Sequence, residues 1–587
     1  MKFLLAAVNA KYIHSNLGIY SLKAYAESRK AGGEVEIELA EYTINHQPEQ
    51  VLQDIYRRRP EAVGFSCYIW NISFIRELIA DLALVLPDTD IWLGGPEVSF
   101  DCQALLRSLP TVRGVMKGEG EETFYRLVCA YERAQAAGGQ RGSAPGTGDL
   151  GLTEIPGLAF RGPDGGICET PAGAAADMGA FPFSYEKLGT GNLEHRIIYY
   201  ESSRGCPFSC SYCLSSVDKA LRFRPLPLVE RELDWFLEKK VPQVKFVDRT
   251  FNCKKSHALA IWRYILEHDN GVTNFHFEIA ADLLGEEEMA VLEKMRPGLA
   301  QLEIGVQSTN PETLREIRRR TDIGRIGRIT ARINSWHNIH QHLDLIAGLP
   351  YEGLERFQES FNQVYEMEPE QLQLGFLKVL KGSYMAEMAE SYGLVYSGRP
   401  PYEVLSTRWL SYGELLELKA VEEMVEIHYN SRQFVHTLAL LREEFSTPYH
   451  MFLHMAGFYR EQGYAGVNHS RIARYEILWR MICGLTEDGG RREIYRDELV
   501  FDLYLRENSK SRPEFARDQG PFKERMREFY RAEADAPRYL KGYGGCDGRQ
   551  LQRMTHMEGM RDGSLVLFDY RDRDPLDYNA RTYCLNL

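Results

Sequence analysis

The sequence predicts an α/β protein in three parts: an N-terminal doubly wound parallel sheet, a partial (β/α)6 barrel, and a mainly helical C-terminal region. Three observations carry this expectation. Residues 1–135 alternate short apolar runs with amphipathic stretches, the pattern of βα units. A glycine-rich stretch interrupts the alternation, which resumes at residue 197 and repeats to about residue 380. Beyond residue 400 the apolar positions recur mainly at helical spacing. At 587 residues the chain exceeds one ordinary core. The expected boundaries are 1–135 for the first domain, 136–195 for a linker and bridging segment, 196–385 for the barrel and 386–587 for the C-terminal region.

In the first domain, strands are expected over 2–9, 34–43, 62–70, 91–98 and 114–121, with helices such as "NLGIYSLKAYAESRK" and "SFIRELIADLALVL" between them. Ligands of such sheets bind outside the carboxyl ends of the strands. The stretches placed there are Asn9 to Gly18, Ser66 to Asn71, Gly94-Gly95-Pro96-Glu97 and Gly118-Glu119-Gly120-Glu121. Their glycines let a large flat ligand approach the backbone closely. The opening "MKFLLAAVNA" reads as a buried first strand. Its apolar run, Phe3 to Val8, is shorter than the ~7–15 residues of a secretion signal, so a cytoplasmic protein is expected. No apolar run approaches the ~20 residues that span a bilayer. The stretch 134–151, "AQAAGGQRGSAPGTGDLG", is small and polar and reads as a flexible linker.

The second alternation places strands over 197–203, 243–251, 274–282, 299–308, 342–350 and 372–380. Chemistry in βα barrels sits at the carboxyl ends of the strands. A cysteine-rich loop follows the first of these strands. Asp248 lies on the second, Glu278 on the third, Gln307 and Ser308 on the fourth, and Lys378 and Lys381 near the end of the sixth. In the C-terminal region, "YGELLELKAVEEMVEIHYNS" and "RIARYEILWRMI" read as helices, and their aromatic and Met positions as core.

The net charge of −13 repels a phosphate backbone and counts against a nucleic-acid partner. Most of the eleven cysteines are scattered singly, which is no disulfide framework. The exception is "GCPFSCSYC", with Cys206, Cys210 and Cys213 at C-x3-C-x2-C spacing. Structural zinc takes four ligands, and no fourth Cys or His follows at the usual spacing. A disulfide would strand one thiol. Three thiolates on a four-iron cubane leave one iron open, where a substrate can chelate.

On the loop after a first barrel strand, "GCPFSCSYC" resembles the radical S-adenosylmethionine (SAM) superfamily. "VKFVDRTF", "HFEIAADLL", "LEIGVQSTNPETLREIRRRT" and "DLIAGLPYEG" resemble its second to fifth strands, so the likeness covers about 197–380. In the first domain, "GFSCYIWN", "WLGGPEVS" and "VMKGEGEETF" are similar to the cobalamin-binding domain of class B radical SAM proteins. One departure is that the Asp-x-His-x-x-Gly signature is missing. The loop reads "KYIHSNLG", with His14 four residues before Gly18, which leaves the lower cobalt ligand open between His14, water and nothing.

The resemblance implies a Rossmann-like domain before a TIM-like barrel. It implies a 4Fe-4S cluster on Cys206, Cys210 and Cys213, and cobalamin held by Ser66, Asn71, Gly94, Gly95, Glu97, Gly118 and Gly120. For SAM it implies Tyr212 beside the last ligand, Glu278 on the amino group, Ser308 on the ribose, Arg319 on the carboxylate and Leu349 on the adenine. Asp248, Asn252, Lys378 and Lys381 are candidates to line a substrate cavity. The implied activity is reductive SAM cleavage followed by methylation of an unactivated carbon. The implied partners are a small-molecule, peptide or lipid-like substrate and an electron donor such as flavodoxin or ferredoxin. Ring formation or rearrangement without methylation is the alternative. A tRNA methylthiotransferase would instead need a second cluster in the first domain and an RNA-binding β-barrel at the C-terminus.

Overall fold

A computed structural model describes residues 1–29, 35–136, 150–162, 164–186 and 196–585. Most of the expected linker, 137–149, lies outside them. The first sheet holds β1 (Lys2–Asn9), β2 (Glu36–Thr43), β3 (Ala62–Ser66), β4 (Asp90–Gly94), β5 (Val112–Met116), β6 (Leu158–Arg161) and β7 (Ile167–Glu169), in the order β2-β1-β3-β4-β5-β6-β7. The first five strands are parallel. β1 is apolar from Phe3 to Val8 and buried on both faces, as a central parallel strand requires. β6 and β7 run antiparallel and come from the segment expected to be a bridge. The order reverses between β1 and β3, so the loops leaving those strands frame a crevice.

The second sheet is wholly parallel. Its strands are β8 (Ile197–Tyr200), β11 (Gln243–Phe246), β12 (Asn274–Ile279), β13 (Ala300–Gln307), β14 (His340–Ala347) and β15 (Gln371–Phe376), adjacent in chain order. Among the described residues no pairing joins β8 to β15, so the barrel is open. Two short strands, β9 (Ser203–Arg204) and β10 (Arg222–Phe223), pair antiparallel and close the cysteine loop at its base. The first domain caps the β8 edge: His14 bridges to Ile197, the Ile197 amide donates to Ile13 O at 2.7 Å, and Ser15 Oγ donates to Ile197 O at 3.0 Å.

After a short hairpin, β16 (Val395–Tyr396) with β17 (Val404–Ser406), the C-terminal region is helical over Tyr412–Met424, Val435–Arg442, Pro448–Glu461, Arg471–Leu485, Gly489–Arg506, Lys523–Asp535 and Gly548–Met554. It ends in an antiparallel sheet of β18 (Thr555–Gly559), β19 (Leu565–Arg573) and β20 (Ala580–Leu585) that helical spacing did not announce. The run "LVLFDY" in β19 splits between two cores: Leu565 and Leu567 pack with β18, β20 and the helix Lys523–Asp535, and Val566 and Phe568 face the main core. The largest buried cluster draws side chains from all three regions, and a separate core lies on the other face of the first sheet, around Leu4, Val63, Ile75 and Leu93. No helix among the described residues is long and apolar enough to cross a membrane.

Gly95 follows β4 with φ +110°, and a Cβ there would lie 2.5 Å from Cys67 O. Gly95→Ala is therefore expected to cost at least ~1–2 kcal/mol. Urea unfolding checks this, and an unchanged midpoint would show that the turn relaxes freely.

Candidate active site

The cysteine loop leaves the carboxyl end of β8 and is anchored from below. Asp248, fully buried beyond β11, accepts from Ser202 N at 3.0 Å, Ser202 Oγ at 2.7 Å and Ser203 Oγ. Gly205 then turns the chain with φ +84°, where a Cβ would stand 2.5 Å from Ala220 O. Cys206, Cys210 and Cys213 all line one cavity of about 220 Å³ at the barrel mouth, and each is a free thiol. Burial pushes the Cys206 thiol up. Arg319 Nη1 stands 3.7 Å from Cys210 Sγ, and its Nη2 donates to Gly305 O.

The floor of this cavity is acidic. Glu278, Glu303 and Asp344 line it from three adjacent strands. Burial, with Glu303 nearby, raises the Glu278 carboxyl to about 7. Burial alone would raise Glu303 too, but His276 at 3.0 Å and Lys245 at 2.9 Å hold it down at about 2. Burial also holds Asp344 well above the ordinary carboxylate range.

A second cavity, about 430 Å³, lies between the first sheet and the barrel. Seven glycines line it: Gly18, Gly64, Gly94, Gly95, Gly118, Gly120 and Gly205. Leu5, Phe65 and Met116 give it apolar surface. On the barrel side it meets Glu201, Arg204, Ser215 and Arg249. Ser215 and Arg249 line both cavities.

Arg204 locks the two units together. Its Nε donates to Glu201 at 2.8 Å, Nη2 to Glu121 Oε1 at 2.6 Å and Nη1 to Glu121 Oε2 at 3.2 Å. Arg222, on β10, forks onto Glu119 and reaches Asp218 at 3.0 Å.

Comparison with known proteins gives three successive matches. The B12 binding domain family matches residues 4–128, the Radical SAM superfamily 200–364, and a protein family of unknown function (DUF4080) 390–565. The chain thus carries a B12-binding domain followed by a radical SAM domain. Among relatives, it is 22% identical over 352 residues to the anaerobic magnesium-protoporphyrin IX monomethyl ester cyclase of Rubrivivax gelatinosus, covering 58% of this chain and 60% of the relative. It is 25% identical over 368 residues to the cobalamin-dependent radical SAM methyltransferase TokK of Streptomyces tokunonensis, covering 57% and 50%. The matches thus span less than two thirds of these relatives' lengths. The structure of the cobalamin-dependent SAM radical enzyme OxsB, with aqua-cobalamin and SAM bound, superposes with a TM-score of 0.59 at 14% identity, covering 85% of this chain and 78% of that one. That likeness concerns the fold.

The expected site residues of these two domains divide into two groups. Cys206, Cys210, Cys213, Tyr212, Glu278 and Arg319 share the thiol cavity. Ser66, Gly94, Gly95, Gly118 and Gly120 share the glycine-lined one. The others line neither cavity. Asn71, fully buried, donates to Val8 O and Ser66 O at 2.9 Å and ties the ends of β1 and β3 together. Glu97 accepts from Tyr402 and from Lys381 at 3.4 Å, so it joins the first domain to the segment after the barrel. Ser308 donates to the buried Glu352 at 2.6 Å, and Leu349 is fully buried in the core. The substrate-cavity candidates Asp248 and Asn252 are likewise engaged inside the fold. Asn252 exchanges two hydrogen bonds with the Ala280 backbone, at 2.8 and 2.9 Å. Lys378 lines neither described cavity, and its backbone forms an isolated antiparallel β-bridge with Glu403. His14 lines neither cavity, and its Nδ1 lies 2.7 Å from Tyr199 Oη.

Sequence reasoning missed Glu201, Arg204, Lys245, Glu303, Asp344, Ser215 and Arg249. A signal existed for two of them: Lys245 and Glu303 are the lone charges of strands built otherwise of apolar residues, glycine and glutamine.

Asp248→Ala would leave buried donors on Ser202 and Ser203 without their acceptor. We expect a loss of about 3 kcal/mol in denaturant unfolding, with Asp248→Asn losing less. An unaltered midpoint for the alanine variant would show that the loop is held elsewhere.

Proposed function

We propose that this chain reductively cleaves SAM at a 4Fe-4S cluster and uses cobalamin to methylate an unactivated carbon of its substrate. The observation that carries this reading is the shared wall: a thiol-lined cavity and a glycine-lined cavity meet at Ser215 and Arg249. The residues fit the groups. Three free thiols face one space and no fourth Cys and no His accompanies them among the described lining residues, as a cluster with an open iron requires. Gly118, with φ +69°, has open space where a Cβ would stand, and with Gly94 and Gly95 it leaves backbone to face a broad flat ligand.

When bound, the cofactors supply one-electron SAM cleavage, hydrogen abstraction from carbon and a methyl donor. The protein binds and orients. Cys206, Cys210 and Cys213 hold the cluster, and Arg319 offers its remaining guanidinium surface to the SAM carboxylate. Glu278, as a carboxylate, receives the SAM amino group. Arg204, Glu201 and Glu121 fix the cysteine loop against the first domain, so both cavities address one space. The TokK likeness favours methyl transfer. The likeness to a protoporphyrin ester cyclase favours a second reading, ring formation without methyl transfer.

The test is anaerobic reconstitution with iron, sulfide and cobalamin, then addition of SAM and a reductant. Methylation predicts both 5′-deoxyadenosine and S-adenosylhomocysteine, the second only with cobalamin. 5′-Deoxyadenosine alone selects the cyclase-type reading, and neither product sinks both. Replacing all three cysteines by alanine is expected to remove bound iron and both products.

The Glu278 carboxyl titrates near neutrality, so lowering the pH protonates it and removes its charge. SAM affinity is expected to rise between about pH 6 and pH 8, and Glu278→Gln to flatten that rise. Equilibrium dialysis measures it, and identical profiles would remove Glu278 from SAM binding.

A further inference from the structure

We infer that the substrate carries an acidic group, a carboxylate or a phosphate, which Arg249 receives with Ser215 at the seam between the two cavities. This rests on the preceding reading, that both cavities act on one substrate. A carbon reached from both sides must lie where they meet, and Ser215 and Arg249 are the residues common to both walls.

The neighbouring arginines are already committed. Arg204 is bound by Glu201 and Glu121, and Arg319 by Gly305 O and the Cys210 thiol. Arg320 lines the thiol cavity alone. Among the described residues the Arg249 guanidinium makes no hydrogen bond or ion pair, and neither does the Ser215 hydroxyl. An arginine's planar fork suits a carboxylate or phosphate, two bonds at a time.

The backbone at Arg249 is also held in place, with its side chain exposed. Arg249 follows Asp248, fixed by its three donors, and precedes Asn252, fixed on Ala280. Its backbone is therefore ordered before any ligand arrives, which lowers the cost of binding. The other charges on the walls give direction. The carboxylates of the first cavity are paired with Arg204 and Arg222, whereas Glu278 and Asp282, on the thiol side, make no ion pair among the described residues and repel an acid. An acidic substrate is thus accepted with its charged end at Arg249 and disfavoured in other poses.

The experiment uses the full-length reconstituted holoenzyme. A metabolite extract of the source organism is separated by anion exchange, and each fraction is tested for stimulation of 5′-deoxyadenosine formation over the rate without extract. Stimulation is expected in an acid-retained fraction. Phosphatase treatment abolishes it if the group is a phosphate, and methyl esterification if it is a carboxylate. Arg249→Gln is expected to raise the half-saturating amount of that fraction by about 10- to 100-fold, and Arg249→Lys to recover part of the loss. Stimulation confined to neutral or basic fractions, stimulation by none, or equal half-saturation in R249Q overturns the inference. A holoenzyme that forms no 5′-deoxyadenosine with or without extract instead defeats the reading on which it rests.

Discussion

Arg204 is the constraint on which the arrangement depends. It sits one residue before the Gly205 turn, two before the first cysteine, and its guanidinium is shared between Glu201 of the barrel and Glu121 of the first domain. A largely buried cation is tolerated only when carboxylates meet it with good geometry. Here that requirement brings the two sheets to one fixed distance. Arg222 repeats the arrangement from β10 onto Glu119, so the cysteine loop is clamped at both of its ends. The seam between the cavities follows from this clamp.

Beneath the seam, the barrel interior is polar and internally balanced. Lys245 and His276 converge on Glu303, which keeps one negative charge at the centre of the floor. Burial first, and then that charge, discourages ionisation of Glu278 and Asp344 beside it. The interior thus holds carboxyl groups of unequal acidity close to the thiols, without a net excess of buried charge.

The C-terminal part of the chain reaches the same place from the other side. The Met385 amide donates to Ser211 O at 2.8 Å, inside the cysteine loop, and the Ser211 amide donates to Ile317 O at 2.9 Å. Tyr402 and Lys381 grip Glu97 of the first domain. The segment following the barrel therefore ties the cysteine loop and the first domain into one body, in addition to anything its helices recognise.

Much of this was legible in the sequence. Strand and helix periods differ, so β1 to β5 and the six barrel strands appear within a few residues of where alternation puts them. The cysteine spacing and the glycine loops are local signals, because ligand number and positive φ are set by residues close in the chain. The terminal sheet escaped because β18 to β20 follow a long helical run and are stabilised by one another, by the helix Lys523–Asp535 on one face and by the main core on the other. Sequence alone determined the parts and their order, and it placed the chemistry at the carboxyl ends of the strands. Only the tertiary structure decided which residues of those ends face a cavity. Loops have no side-chain period, so Asn71, Glu97 and Ser308 turned inward to satisfy buried polar atoms while Ser215 and Arg249 were left facing both cavities.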